Sequence, residues 1–100
     1  MEQTDRIKAM EALLDEGRDV LDRFEDALEA YKNIQEKILV LEEYYGEDWM
    51  KDFEDDEAGK LPPDLKRGVL SEDALYDLLT DNRRLLVRML EVSAEVTQKI

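Results

Sequence analysis

Nine carboxylates fall within sixteen consecutive positions near the middle of this 100-residue chain: Glu42, Glu43, Glu47, Asp48, Asp52, Glu54, Asp55, Asp56 and Glu57. One base, Lys51, stands among them, so this stretch carries −8 of the total formal charge of −13. Clustered carboxylates can hold a cation or, through magnesium, a phosphate substrate. Calcium takes about six to eight oxygens, and the helix–loop–helix calcium loop needs glycine at its sixth position. Counted from Asp52, the sixth residue is Glu57 and the twelfth is Pro63, so that motif fails. Helical nucleotide pyrophosphohydrolases carry Glu-Glu-x-x-Glu and later Glu-x-x-Asp. Here Glu42-Glu43 meets Gly46 at the required place, and Glu16/Asp19 comes too early.

Other chemistries are bounded by what is missing. The chain has no cysteine and no histidine. That removes disulfides, thiolate nucleophiles, histidine triads and the commonest metal ligand. Ser71 and Ser93 have no histidine to activate them. The Ala-Gly-Lys at 58–60 lacks the rest of a phosphate loop. No catalytic residue, cofactor ligand or metal ligand is therefore assigned. Arg83, Arg84 and Arg88 form the one basic cluster. With this net charge, ion pairing explains them better than nucleic-acid contact.

Two long helical patterns flank the acidic stretch. The first runs over about 5–45, with Thr4 as its cap. Apolar positions Ile7, Met10, Leu14, Leu21, Phe24, Leu28 and Tyr31 repeat in alternating steps of three and four, with Gly17 in the same seam. After Tyr31 the seam continues through Ile34, Ile38, Leu41 and Tyr45 after an extra three-residue step, a stammer. Gly46 is placed to end it. The second runs over about 72–99. Ser71 is its cap, Glu72 and Asp73 suit the first turn, and Leu70 and Leu75 have the spacing of a hydrophobic staple. Its seam is Leu75, Leu78, Asn82, Leu85, Met89, Val92 and Val96, with Leu79, Leu86, Leu90 and Ile100 beside it.

Between them lies a connector over 46–70. It holds a short helix with Trp49, Met50 and Phe53 on one face, Asp48 placed to cap it and Gly59 to end it. Pro62-Pro63 comes next. Trp49, Phe53, Leu61, Leu65, Val69 and Leu70 are expected to pack against the adjoining helix ends. The fold class is thus all-α: one domain over 1–100, an antiparallel hairpin of two long helices. In that hairpin Arg84 and Arg88 fall within reach of Glu25, Glu29 and Glu36.

The stretches YYGEDWMKDFEDDEAG, LPPDLKRGVLSEDALYDLL and DNRRLL resemble a family of small acidic bacterial proteins known as domain of unknown function 4298. The resemblance covers nearly the whole chain and is most specific from Leu61 to Leu79. It implies a helical, bacterial, cytoplasmic protein, and it supplies no activity.

The helices differ in length, ~60 Å against ~42 Å. A hairpin leaves Ile7, Met10, Leu13 and Leu14 uncovered, so these are the expected self-association residues of a homodimer completing a four-helix bundle. The alternative is a break near Gly17 and a three-helix monomer. The leading functional reading is a non-catalytic protein–protein interaction or adaptor module. Its candidate surface for a basic protein partner is Glu47, Asp48, Asp52, Asp55, Asp56 and Glu57. Two others stay open: a magnesium- or manganese-dependent carboxylate enzyme or metal binder using 42–57, and an acidic decoy for a nucleic-acid-binding protein. Direct nucleic-acid or membrane contact is not expected, since the chain is acidic and lacks a long apolar run.

Overall fold

The computed structural model describes residues 2–100 and is all-α. Helix α1 spans Gln3–Gly46, α2 spans Trp49–Glu57 and α3 spans Ala74–Thr97, with one 3-10 turn at Gly68–Leu70 between the last two. Among the described residues there is no strand. Packing divides the chain into one unit ending at Glu36 and a second over Lys37–Ile100. None of the described helices is long and apolar enough to cross a membrane.

In the first unit, Glu2 rather than Thr4 closes the start of α1. The Glu2 carboxylate accepts the Thr4 N–H at 3.2 Å, and its carbonyl accepts the Arg6 N–H at 2.9 Å. Thr4 is left inside the first turn. The helix passes through Gly17 without a break, which overturns the expected alternative of a separate first helix. A Cβ added at Gly17 would meet nothing within 4 Å, so no close approach within the chain calls for the glycine. Helix spacing also supplies the ion pairs of this unit, Arg18 with Asp22 at 3.3 Å and Arg23 with Asp19 at 3.0 Å.

The second unit takes in the last turns of α1. Gly46 fits the sequence pattern of a left-handed cap, but Gly59 is the one described glycine at positive φ, 72°. Helix α1 instead ends in a tightened turn, with the Glu47 N–H donating to the Tyr44 carbonyl at 3.2 Å. Asp48 occupies the cap position of α2 without a side-chain capping bond. At the other end of α2, Lys60 N–H donates to Asp55 O and Gly59 N–H to Asp56 O, both at 3.0 Å. This six-to-one and five-to-two pair requires a left-handed residue at position 59, and glycine adopts it without a Cβ clash.

Ser71 organises the start of α3. Its backbone is extended (φ −67°, ψ 150°), its hydroxyl donates to Gly68 O at 2.9 Å, and it accepts the Ala74 N–H at 3.3 Å. Regular helix then begins at Ala74, two residues later than the sequence pattern places it, a common offset at helix ends. The staple residues on either side, Leu70 and Leu75, are 6% and 3% exposed and share one cluster with Trp49. Leu41, Tyr44, Tyr45, Phe53, Leu61 and Leu79 pack around it. Ile38 is also buried.

Candidate functional site

Trp49 joins the elements of the second unit. Its indole N–H donates to Val69 O at 2.8 Å, so the ring is buried with its one polar group satisfied. Tyr45 at the end of α1 and Phe53 on α2 pack against it with ring centroids at 5.1 and 5.0 Å. The Phe53 ring stacks at 17° and the Tyr45 ring tilts at 60°. Phe53 and Leu61 are half-buried. Leu65 and Val69 depart from the expected packing and are 47% and 40% exposed. The reason is local. The segment after Pro62-Pro63 is held by polar bonds of its backbone, leaving the Leu65 side chain without an apolar role. Leu65 N–H donates to Pro62 O at 3.2 Å, and the Arg67 guanidinium donates to Leu65 O at 3.2 Å and also to Pro62 O. Met50, expected on the Trp49 face, is 55% exposed.

The six carboxylates of the expected interaction surface divide into two sets. Asp52, Asp55 and Asp56 are half-buried and engaged. Asp52 accepts the Tyr44 hydroxyl at 2.7 Å, Asp55 faces Lys51 at 4.0 Å and Lys60 at 3.9 Å, and Asp56 pairs with Arg67. Glu47, Asp48 and Glu57 are exposed. Among the described residues, no group of three or more acidic side chains is arranged to share a metal ion. The acidity of Tyr44 is displaced. Burial, then the hydrogen bond to Asp52 and the negative charges of Asp52 and Asp48, push its hydroxyl up to about 12.

Sequence reasoning does not single out Arg67 or the Tyr44 hydroxyl. Tyr44 and Asp52 lie eight residues apart across the end of one helix and the start of the next, a relation that no single-helix spacing reveals. Arg67 lies in a segment without periodicity. The prolines at 62 and 63 and the glycine at 68 mark a turn but give no sign of which acid the side chain reaches.

The arginine cluster sits on α3 and pairs within that helix, Arg84 with Asp81 at 3.4 Å and Arg88 with Glu91 at 3.7 Å. Thr80, Arg83 and Val87 complete a shallow groove of about 410 Å³ with them. A second open groove of about 410 Å³ runs between the end of α1 and the start of α3, lined by Ile38, Glu42, Tyr45, Tyr76 and Leu86 among others. Neither encloses a ligand-sized volume away from water. The expected self-association residues Ile7, Met10, Leu13 and Leu14 are 53%, 52%, 59% and 64% exposed.

A family model described as Domain of unknown function (DUF4298) matches residues 7–92. The chain belongs to this family. The match runs from the first seam residue of α1 to Val92 of α3, and so takes in the aromatic cluster, the carboxylates and the arginines alike. No curated protein and no solved structure matches the chain. Membership in the family carries no activity with it.

Proposed function

We propose that the chain is a non-catalytic helical interaction module that associates with a second copy of itself. The observation that carries this reading is the exposure of large apolar side chains in patterned positions on both long helices. Leu14 and Leu21 on α1 are 64% and 57% exposed, and Leu86 and Leu90 on α3 are 50% and 68% exposed. Covering such side chains is worth about 1.5–3 kcal/mol each, so patterned exposure on this scale marks an interaction face. A two-fold pair is the commonest way to cover one face with itself, and α1 and α3 from two copies would complete a four-helix bundle. The absence of cysteine suits a reducing compartment, in keeping with a bacterial cytoplasmic protein. Sedimentation equilibrium tests the reading: association at or below ~100 μM supports it, and a strict monomer at that concentration removes it.

A second use, docking of a basic protein, has its own support in the exposed Glu47, Asp48 and Glu57 and in the charge of the surrounding stretch. A pull-down whose yield falls steeply between low and high salt tests it. Among the described residues the metal-dependent reading has no arrangement of carboxylates in its favour, and the decoy reading rests on net charge alone.

A further inference from the structure

We infer that two copies pair through the first unit of α1, antiparallel, in one register set by charges along the edge of its seam. This rests on the self-association proposed above and names the surface and geometry of that association. Within this unit the seam runs Ile7, Met10, Leu14, Gly17, Leu21, Phe24, Leu28 and Tyr31, of which the pairing uses Leu14 to Tyr31. All but Tyr31, which is half-buried, are exposed. The two edges of the seam differ in kind. One edge repeats every seven residues as Leu13, Val20, Ala27 and Ile34, all apolar and exposed. The other repeats as Glu11, Arg18, Glu25 and Lys32, with the sign alternating at each step. The remaining charges of the stretch 11–34, including Asp15, Asp19, Asp22 and Asp26, lie away from both edges.

Antiparallel helices bring like edges together, whereas parallel helices bring unlike edges together. A parallel pair would therefore set Arg18 and Glu25 against leucine, valine and alanine, with no ion pairs. An antiparallel pair buries the apolar edge against itself and aligns the alternating charges. Leu14 then faces the partner's Tyr31, Gly17 the partner's Leu28, and Leu21 the partner's Phe24. In that register Leu13 meets the partner's Ile34 and Val20 the partner's Ala27. On the other edge Glu11 meets the partner's Lys32 and Arg18 the partner's Glu25, each pair occurring twice by symmetry. Sliding one heptad in one direction puts Arg18 against the partner's Arg18 and Glu11 against the partner's Glu25. Sliding one heptad in the other puts Glu25 against the partner's Glu25 and Arg18 against the partner's Lys32. Both neighbouring registers thus gather like charges, and the register with opposite charges is selected against them.

Arg18 pairs with Asp22 on its own helix, but both side chains are more than 60% exposed, so the guanidinium is free to exchange partners. The paired stretch, 11–34 from each copy, is ~36 Å long. Ile7 and Met10 lie beyond it, so Leu13 and Leu14 are the members of the first apolar group that this pairing uses.

Reversing one charge turns two attractions into two repulsions. In the 100-residue chain, R18E and E25R are each expected to weaken association about tenfold or more, with helix content unchanged by circular dichroism. The double variant R18E/E25R restores opposite charges and should return to wild-type affinity. An equimolar mixture of the two single variants should form heterodimers. Wild-type association that is indifferent to both reversals, or not recovered in the double variant and the mixture, overturns this geometry while leaving self-association in place. A strict wild-type monomer at ~100 μM removes both. A spin label on Lys8→Cys, unique because the chain has no cysteine, reads the orientation. Labels separated by about 44 Å fit this register, whereas about 33 Å or about 54 Å fits one of the two antiparallel slides and overturns it. A separation of about 25 Å or less means a parallel pair and overturns it too.

Discussion

The first unit of α1 and the aromatic cluster of the second unit use the same amphipathic spacing to different ends. In the second unit, Trp49, Leu70 and Leu75 are each under 10% exposed. Among the described residues of the first unit, no large apolar side chain falls below 40% exposed except Tyr31. The difference lies in which other elements reach each stretch. After Gly46 the chain turns, and α2, the 3-10 turn and the start of α3 gather with the end of α1 into one cluster that includes Trp49. Within the first unit the helix has only its own i to i+4 neighbours, and these cannot cover a seam. Periodicity fixes which face is apolar, while cover comes from elements or copies that arrive from elsewhere.

The largest test of this contrast is Trp49→Ala. The ring is 7% exposed, flanked by two aromatics and bonded to Val69 O. Truncation should cost about 3 kcal/mol in urea unfolding, and a loss below about 0.5 kcal/mol would mean that the cluster is not a core. Next in size is a matched pair of leucines. Leu75→Ala, at 3% exposed, should cost about 2–3 kcal/mol. Leu14→Ala, at 64% exposed, should change the stability of the dissociated chain by less than about 0.5 kcal/mol and should lower its association instead. Equal losses for the two in dilute solution would erase the distinction between the units.

The contrast also shows how much is legible from sequence. The helices, the staple of Leu70 with Leu75 and the glycine end of α2 at 59 are readable because each rests on contacts within a few residues. The exposed Leu65 is not, because it lies in a segment without periodicity whose carbonyls at Pro62 and Leu65 are taken by the Arg67 side chain, a bonding that residue spacing does not announce. The engagement of Asp52, Asp55 and Asp56 is hidden for the same reason. As letters they read like their neighbours Glu54 and Glu57, and only the approach of Tyr44, Lys60 and Arg67 separates them.

Tyr44 supplies a test of intermediate size. Its hydroxyl titrates near 12 in the folded chain against 10.0 in the open one. The folded value is the higher, so the unfolded chain gives up this proton first as pH rises. The stabilisation is complete below about pH 10 and is lost as pH climbs toward about 12. Phenolate absorbance should show one tyrosine titrating near 12, absent in Tyr44→Phe. The same substitution should cost about 1 kcal/mol at neutral pH by removing the bond to Asp52. A wild-type chain that loses no more stability than Tyr44→Phe between pH 10 and 12 would mean that this hydroxyl is not held by the carboxylate.

The smallest expected effect returns to the first unit. Gly17 sits in mid-helix, and a Cβ added there meets nothing within 4 Å. Within a single chain the glycine therefore only loosens the helix, and Gly17→Ala should stabilise it by about 0.5–1 kcal/mol in thermal melts at low concentration. Its neighbourhood differs in the proposed pairing, where Gly17 faces the partner's Leu28. An added methyl must there share a seam layer with a leucine, so the gain should shrink or reverse as concentration rises through the association midpoint. A gain that is the same at every concentration would place Gly17 outside the paired seam, and would leave the charged edge at Arg18 and Glu25 to define the interface without it.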